Sequence, residues 1–268
     1  MYSRRKFIKV GSLALAGAYV GSTLLQSCAS SQQRLTILHT NDMHSRIEPF
    51  PNDHSRHAGL GGMAKRAHLV KTIRSQEDNV LLLDSGDVFQ GTPYFNFFGG
   101  ELEFKLMSEM GYDATTIGNH DFDNGIDGLL EMMPNATFPH ITSNYDVSKT
   151  ILNGHTLPYK TFTKSGIKIG VFGLGVELDG LVLKNLYQET KYNDPVGVAN
   201  EMVQELNSKG CDLIICLSHL GYEYKDEPNK ISDLKLAEKV SGIDLILGGH
   251  THTYLDVPTV VLNSEGHE

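Results

Sequence analysis

Short apolar runs of strand length recur along the chain and alternate with segments whose apolar residues repeat at helical spacing. Helical spacing is clearest over residues 62–75, where Met63, Ala67, Val70 and Ile73 fall on one face. Alternating strands and helices predict an α/β fold. The predicted strands are Leu35–Leu38, Val80–Leu83, Ala114–Ile117, Ile167–Leu174, Leu213–Leu217, Leu245–Leu247 and Thr259–Leu262, and the predicted helices are Gly62–Ser75, Leu102–Met110, Gly125–Met133, Gly197–Ser208 and Ser232–Val240.

One pair of predicted strands is joined by a very short connection. Tyr159–Lys164 and Ile167–Phe172 are separated only by Ser165 and Gly166. A two-residue loop of this kind predicts an antiparallel hairpin, so the sheet that contains it is expected to be mixed.

The N-terminus has the features of an export signal. Residues 3–9 contain a twin-arginine pattern, and the uncharged apolar stretch that follows is about 16 residues long, shorter than the roughly 20 that a membrane-spanning helix needs. Leu25-Gln26-Ser27-Cys28 resembles a bacterial lipobox. We therefore expect residues 1–27 to be a signal, Cys28 to carry lipid at the bacterial cell envelope, residues 28–34 to be a polar tether, and 35–268 to be the catalytic domain. An uncleaved anchor and a plain secretion signal are the alternatives.

The charge of the chain narrows the choice of partners. The formal net charge is −9, and the signal contains four basic residues and no acidic ones, so its removal leaves −13. A strongly acidic chain disfavours nucleic-acid polymers as partners. A small anionic substrate would then need a local positive centre, such as metal ions.

Residues that can bind metal follow five of the predicted strands. Sites in open α/β sheets form where the carboxyl ends of the strands meet. Residues two apart in an extended segment point the same way, so Asp42 and His44 could hold one ion together. Taken singly, each group has a structural alternative, such as a surface pair, an Asp-rich turn or a helix N-cap. The groups are 42–44 (Asp-Met-His), 84–87 (Asp-Ser-Gly-Asp), 118–123 (Gly-Asn-His-Asp-Phe-Asp), 218–219 (Ser-His) and 248–252 (Gly-Gly-His-Thr-His).

The side-chain types indicate a metal centre for two ions. Asp87 can bridge two cations, and Asn119 offers a carbonyl oxygen to a cation and an N–H group to an anion. None of the five groups contains a thiolate, so the set suits Zn²⁺ or Mn²⁺, with Mg²⁺, Ca²⁺, Co²⁺ and iron left open. More ligands are present than one tetrahedral site needs, which predicts two ions roughly 3.5–4 Å apart. The predicted ligands are Asp42, His44, Asp87, Asn119, His219, His250 and His252.

These five groups, in this order, resemble the motifs of the calcineurin-like metallophosphoesterase superfamily. Residues 38–44, 84–87 and 119–123 are similar to its 5′-nucleotidase branch, which includes UDP-sugar hydrolases and 2′,3′-cyclic nucleotide phosphodiesterases. The resemblance covers residues 34–268. It implies a four-layer α/β/β/α sandwich with two mixed sheets.

The resemblance also implies a role for each site residue. Hydroxide activated by the ions would attack phosphorus, and His120, oriented by Asp123, would act on the departing oxygen. Asn119 and His120 would contact the substrate phosphate. The implied metal sets are Asp42, His44 and His252 for one ion, Asn119, His219 and His250 for the other, and Asp87 as the bridge.

The sequence departs from the branch in two respects; the first is His252, where some members of the branch have Gln, a residue that can also coordinate a metal. The other is that members of the branch usually carry a second, C-terminal domain that stacks the nucleobase, and no such domain follows Leu262 here. We therefore expect the base-binding part to lie on a separate polypeptide, the substrate to need no such clamp, or the sequence to be truncated.

The favoured function is hydrolysis of nucleoside monophosphates or related phosphoesters. One alternative is a thiol-sulfate hydrolase of sulfur oxidation, a group that resembles this chain in fold, dimetal site and twin-arginine export. Another is a lipid-anchored binding protein without catalytic activity. Activity on an aryl phosphate or AMP, before and after chelation of metal, separates these interpretations.

Overall fold

The computed structural model describes residues 34–263 and 265–266. Strands and helices alternate along most of this region, as the sequence predicts. The strands are β1 (Thr36–Thr40), β2 (Val80–Asp84), β3 (Ala114–Thr115), β4 (Tyr145–Asp146), β5 (Tyr159–Lys164), β6 (Ile167–Gly175), β7 (Lys191–Tyr192), β8 (Leu213–His219) and β9 (Leu245–Leu247). The α-helices are α1 (Met63–Gln76), α2 (Pro93–Phe98), α3 (Glu101–Met110), α4 (Gly125–Met132), α5 (Lys184–Tyr187), α6 (Pro195–Ser208) and α7 (Asp233–Lys239).

Local sequence explains where several of these elements begin. Helix α6 starts with Pro195, and the Asp194 side chain accepts a hydrogen bond from the Gly197 backbone N–H at 2.8 Å. Ser232 caps α7 in the same way. Between β5 and β6, Ser165 and Gly166 both have positive φ, the geometry of a tight hairpin turn. The antiparallel pairing of β5 with β6 confirms the predicted hairpin.

The strands form two main sheets and a small ribbon. One sheet has the order β1-β2-β3, the other has the order β5-β6-β8-β9, and β4 pairs with β7 in an antiparallel ribbon. The pairs β6–β8 and β8–β9 are parallel, so the second sheet is mixed. The first sheet is parallel throughout, which corrects the expectation that both sheets are mixed. Its strands are joined by helices, which permit parallel neighbours.

Three hydrophobic clusters show how the layers stack. Leu81 and Leu83 of β2 pack with Ile169 and Val171 of β6 in a core between the two sheets. Leu82, which points the other way, packs with helices α1, α3 and α4. Residues on the opposite face of the second sheet pack against α6 and α7. The order is therefore helix, sheet, sheet, helix, which is the four-layer order that the resemblance implies.

One predicted strand is wrong. Residues 259–262 are not in a strand, and Val260 and Leu262 are 69% and 62% exposed. A short apolar run forms a strand only where a partner strand is available to share backbone hydrogen bonds. Of the helices between residues 34 and 266, none combines the length and the apolar character needed to cross a bilayer. The predicted signal and Cys28 lie outside the described residues.

Candidate metal centre

The loops that follow β1, β2, β8 and β9 meet where the two sheets adjoin. The Asp42 backbone N–H donates to the Gly86 carbonyl oxygen at 2.9 Å, so the first two loops run side by side. Ser85 links these loops to the other sheet: its hydroxyl donates to the Leu247 carbonyl oxygen at 2.7 Å, and its own carbonyl oxygen lies 2.6 Å from Nδ1 of His219. Side chains far apart in sequence therefore share one small region.

Asp42, His44 and His252 form the first group of candidate ligands. One atom from each of these residues lies within 4.8 Å of the other two. Nε2 of His252 is 3.3 Å from Oδ1 of Asp42 and 3.1 Å from Nε2 of His44. The backbone N–H of His250 donates to the Asp42 carboxylate at 3.0 Å, which fixes the orientation of that carboxylate. Three donor atoms so arranged can hold a cation.

Asp87, His219 and His250 form the second group, and it is more deeply buried than the first. Nε2 of His219 lies 3.0 Å from Oδ2 of Asp87. The same carboxylate oxygen is 3.9 Å from Nε2 of His44 in the first group. Asp87 therefore lies between the two groups, the position that a bridging carboxylate requires.

The histidine rings are held with their Nε2 atoms toward the centre. Nδ1 of His219 donates to the Ser85 carbonyl oxygen, and Nδ1 of His44 donates to the Phe89 carbonyl oxygen at 3.2 Å. A carbonyl oxygen only accepts, so the Nδ1 atoms carry the protons and leave the Nε2 lone pairs for a cation. Backbone carbonyls orient metal-binding histidines in this way in known metal sites.

The pKa values of the histidines reflect burial and the neighbouring carboxylates. Burial and the adjacent His219 lower the pKa of His250 to about 4, and burial lowers the pKa of His44. Both rings are therefore neutral, the form that binds metal. For His219 burial also acts to lower the pKa, but Asp87 and Asp42 raise it to about 9. A proton thus competes with a cation for Nε2 of His219.

Two of the buried side-chain atoms that have no hydrogen-bond partner within the described residues lie at this centre. They are Oδ1 of Asn119 and Nε2 of His219. Such atoms cost free energy unless something pairs with them. A carbonyl oxygen and an imidazole nitrogen beside the Asp87 carboxylate fit a divalent cation. The residues present are therefore suited to the metal that their chemistry predicts.

Glycines allow the loops to approach each other closely. A Cβ atom on Gly249 would lie 3.0 Å from Nδ1 of His219 and 3.1 Å from Oδ2 of Asp42. A Cβ atom on Gly118 would lie 2.5 Å from the backbone nitrogen of Asp87. Larger residues at these positions would push the ligand groups apart. This explains why a glycine stands directly before His250.

The backbone at the centre is strained. Nine described residues other than glycine have positive φ, and five of them are candidate ligands. Residues with a Cβ atom seldom adopt this region of conformational space, and they do so mainly at functional sites. The five are Asp42, His44, Asp87, His250 and His252, with φ between 44° and 71°.

His120 and Asp123 lie beside the ligand groups. The His120 backbone N–H donates to Oδ1 of Asp87 at 2.8 Å, and its ring centroid is 5.2 Å from that of His44. Nδ1 of His120 is 2.9 Å from Oδ2 of Asp123. Burial lowers the pKa of His120, but the Asp123 hydrogen bond and the Asp87 charge outweigh it and raise the pKa. The ring is 38% exposed, so a substrate can reach it.

Sequence reasoning missed the part played by Asp121. Its buried carboxylate accepts backbone hydrogen bonds from Gly118, Asp87, Val88 and Phe89 at 2.8–3.2 Å. Burial and the Asp87 charge raise the pKa of Asp121 to about 7, although these bonds favour the carboxylate. Asp121 thus shapes the loop that carries Asp87. The only signal in the sequence is its place next to His120 in the motif.

The structure brings all of the predicted site residues between Asp42 and His252 into one region. Asp42, His44 and His252 form one group, and His219 and His250 form the other with Asp87. Asn119 is buried next to His120. Their roles as ligands and as catalytic groups stay predictions.

Comparisons with known proteins agree with this geometry. The family described as calcineurin-like phosphoesterase matches residues 35–254. A venom 5′-nucleotidase from the snake Gloydius brevicauda is 37% identical over 250 residues, which is 91% of this chain and 41% of that protein. The chain therefore spans about two fifths of the length of this curated relative.

Solved structures of related proteins are similar to this chain in fold. A 5′-nucleotidase precursor from Thermus thermophilus is similar with a TM-score of 0.77 and 37% identity, covering 87% of this chain and 47% of that one. The sulfate thiohydrolase SoxB from the same organism has a TM-score of 0.71 over 85% of this chain and 50% of that one, but only 18% identity. The second likeness is one of fold alone.

Proposed function

The chain belongs to the calcineurin-like phosphoesterase family, and from that premise we propose that it hydrolyses phosphoesters with the help of two divalent metal ions. The observation that carries this proposal is the position of Asp87 between two groups of candidate ligands. A single carboxylate that faces both groups suits a pair of neighbouring cations. Phosphoester hydrolysis is the chemistry that such a pair assists.

The proposed ligands divide between the two ions. Asp42, His44 and His252 would hold one ion, Asn119, His219 and His250 the other, and Asp87 would contact both. When bound, the ions would supply Lewis acidity that offsets the charge of a phosphoryl group and lowers the pKa of water. Mn²⁺ and Zn²⁺ suit the donor set best.

His120 is proposed to serve the leaving group. Asp123 holds Nδ1 of His120, so Nε2 is the ring atom that faces a substrate. Its raised pKa favours the doubly protonated ring, which has a proton at Nε2 to donate to the departing alkoxide oxygen. The backbone bond from His120 to Asp87 ties this acid to the metal ligands. Asn119 is proposed to contact the substrate phosphate through its side-chain N–H group.

Nucleoside monophosphates are the proposed substrates. The support is the 37% identity to a venom protein named a 5′-nucleotidase and to a structure of a 5′-nucleotidase precursor. A thiol-sulfate substrate has weaker support, because the likeness to the sulfate thiohydrolase reaches only 18% identity. A binding protein without activity is disfavoured by the complete set of chemical groups.

The proposed location of the protein is the bacterial cell envelope. The twin-arginine pattern and the Leu-Gln-Ser-Cys sequence at residues 25–28 support export and lipid attachment at Cys28. Residues 35–268 would then act as one catalytic domain on a short tether. Mass spectrometry of the membrane fraction tests this, because a lipidated chain begins at Cys28 and is heavier by its acyl groups.

The decisive experiment is a substrate panel on the full chain. Protein treated with a chelator is reloaded with Mn²⁺ or Zn²⁺ and offered AMP, 2′,3′-cyclic AMP, UDP-glucose, an aryl phosphate and a cysteine S-sulfonate. We expect phosphate release from AMP that chelation abolishes and metal restores. Release of sulfate alone would support the thiohydrolase alternative. No turnover with any metal and substrate would overturn the proposal of a hydrolase.

A further inference from the structure

The loop that carries Asp42 and His44 is held in an unusual backbone conformation. Asp42, His44 and the next residue, Ser45, have φ values of 46°, 44° and 55°. Each costs free energy for a residue with a Cβ atom, so contacts from outside the loop must hold it in place. Those contacts determine whether Asp42 and His44 point to the same ion.

Ser45 is the residue through which the loop is fixed. It is fully buried, and its backbone N–H donates to the Val88 carbonyl oxygen at 2.9 Å. Its carbonyl oxygen accepts from the Thr92 hydroxyl at 2.7 Å. Its hydroxyl donates to Oε1 of Glu103 in helix α3. All three polar groups of Ser45 therefore have partners.

Glu103 is an unusual residue to find in this place. Its side chain is fully buried among the hydrophobic residues of α3, and Oε2 has no hydrogen-bond partner within the described part of the chain. A buried carboxyl group with one unsatisfied oxygen costs stability. The one side-chain hydrogen bond of Glu103 within the described residues comes from Ser45, the residue next to His44. A group that costs stability yet holds a loop at the centre is expected to contribute to the site.

The same helix also supports His44 from a second direction. The Phe104 ring packs on Phe89 with centroids 4.8 Å apart. The Phe89 carbonyl oxygen is the acceptor for Nδ1 of His44. Helix α3 therefore contacts both the backbone neighbour of His44 and the residue that orients its ring.

We propose that Glu103 is a positioning residue for the first ion, holding the loop 42–45 in its strained conformation through the Ser45 hydroxyl. This inference rests on the proposed metal centre and deepens it. Glu103 touches neither ion nor substrate. It acts by fixing where Asp42 and His44 lie, and its influence is confined to the group that these residues form with His252.

Two substitutions at one position test the proposal. Glu103→Met fills the same volume and removes the acceptor, whereas Glu103→Gln keeps an oxygen for the Ser45 hydroxyl. In titration calorimetry with Mn²⁺, we expect Glu103→Met to bind one of two ions about 10–100-fold more weakly, as outer-shell changes do. The other ion should bind normally, and Glu103→Gln should bind both ions as the wild type does.

A second measurement separates positioning from folding. The melting temperature of chelator-treated Glu103→Met should stay close to that of the wild type, because loss of the unsatisfied carboxyl oxygen offsets the cost of leaving the Ser45 hydroxyl without its acceptor. Ser45→Ala removes the same bond from its other end and should weaken the same ion, and the double variant should be no worse than either single one. Met107→Leu, a buried change in the same helix, is the control and should bind both ions normally.

The outcomes are distinct from those of the substrate panel. Metal binding is measured without substrate, so a protein that binds two ions but hydrolyses nothing would overturn the proposed function and leave this inference standing. Normal binding of both ions by Glu103→Met would overturn the inference. If Glu103→Met and Glu103→Gln weakened the binding of both ions equally and also lowered the melting temperature, the inference would be overturned too, because Glu103 would then have a purely structural role.

Discussion

Nε2 of His219 lies 3.0 Å from Oδ2 of Asp87, and the two side chains are 0% and 2% exposed. The other nitrogen of the ring donates to the Ser85 carbonyl oxygen, so Nε2 is the ring atom that faces the carboxylate. Two electron-rich atoms this close in a buried region are stabilised by a cation or a proton between them. The same Oδ2 atom of Asp87 lies 3.9 Å from Nε2 of His44, so the Asp87 charge is close to both groups of ligands.

Loss of the Asp87 charge should therefore empty at least one metal position. Asp87→Asn keeps the shape of the side chain and removes its negative charge. We expect metal analysis after dialysis to give no more than one ion per chain, with affinity lowered by more than the roughly 10–100-fold typical of outer-shell changes. Asp127→Asn, on the exposed side of α4, is the matched control and should retain two ions. Two tightly bound ions in Asp87→Asn would show that Asp87 is not a bridge.

The pair formed by His120 and Asp123 predicts a shift in the dependence of rate on pH. The Asp123 hydrogen bond and the Asp87 charge raise the pKa of His120 against the effect of burial, and a general acid works only while protonated. The rate should fall as pH rises through this pKa. Asp123→Asn removes a charge that raises the pKa, so the falling limb of kcat should move to lower pH. If the falling limb of kcat in Asp123→Asn stays at the same pH as in the wild type, His120 is not the titrating acid.

His120→Ala provides the complementary test. Removing the acid should lower kcat by about 10²–10⁴-fold. The side chain is not among the proposed ligands, so metal content should stay near that of the wild type. Loss of metal in this variant would mean that the residue is misassigned.

Much of the fold could be predicted because the strands are evident from local sequence. Val80–Leu83 is a fully apolar run, and a strand buried on both faces needs such a run. The candidate ligands could be found because each lies at or beyond the carboxyl end of a strand, and the carboxyl ends of parallel strands meet at one edge. Residues 259–262 show the limit of this reasoning, since a strand pattern predicts pairing only where a sheet edge is within reach.

The support around the ligands could not be predicted in the same way. Asp121 and Glu103 act through bonds to the backbone N–H groups of one loop and to a serine hydroxyl of another. Such bonds join residues that are far apart in sequence and leave no local pattern. The positive φ values of Asp42 and His44 are also invisible in the sequence, because they arise from the packing of several loops.

Asp121 should be required for stability as well as for metal binding. Asp121→Ala would leave four buried backbone N–H groups without their acceptor, and each such loss costs about 1–3 kcal/mol. We expect urea unfolding of chelator-treated protein to give a free energy of unfolding lower by at least about 3 kcal/mol. Asp123→Ala, two residues along and partly exposed, should cost less than about 1 kcal/mol. Equal effects of the two changes would contradict the assigned role of Asp121.

Gly249 should be essential for metal binding because of the space it leaves. In Gly249→Ala the new Cβ atom would lie 3.0 Å from Nδ1 of His219 and 3.1 Å from Oδ2 of Asp42. These residues belong to different ligand groups, and metal–ligand distances have to lie within about 0.2 Å of their usual values. Both ions should therefore bind at least about tenfold more weakly, as measured by calorimetry. Gly197→Ala in α6, where the new atom would meet only the Asp194 side chain, should leave binding unchanged. Unaltered binding in Gly249→Ala would mean that the two groups do not depend on this close approach.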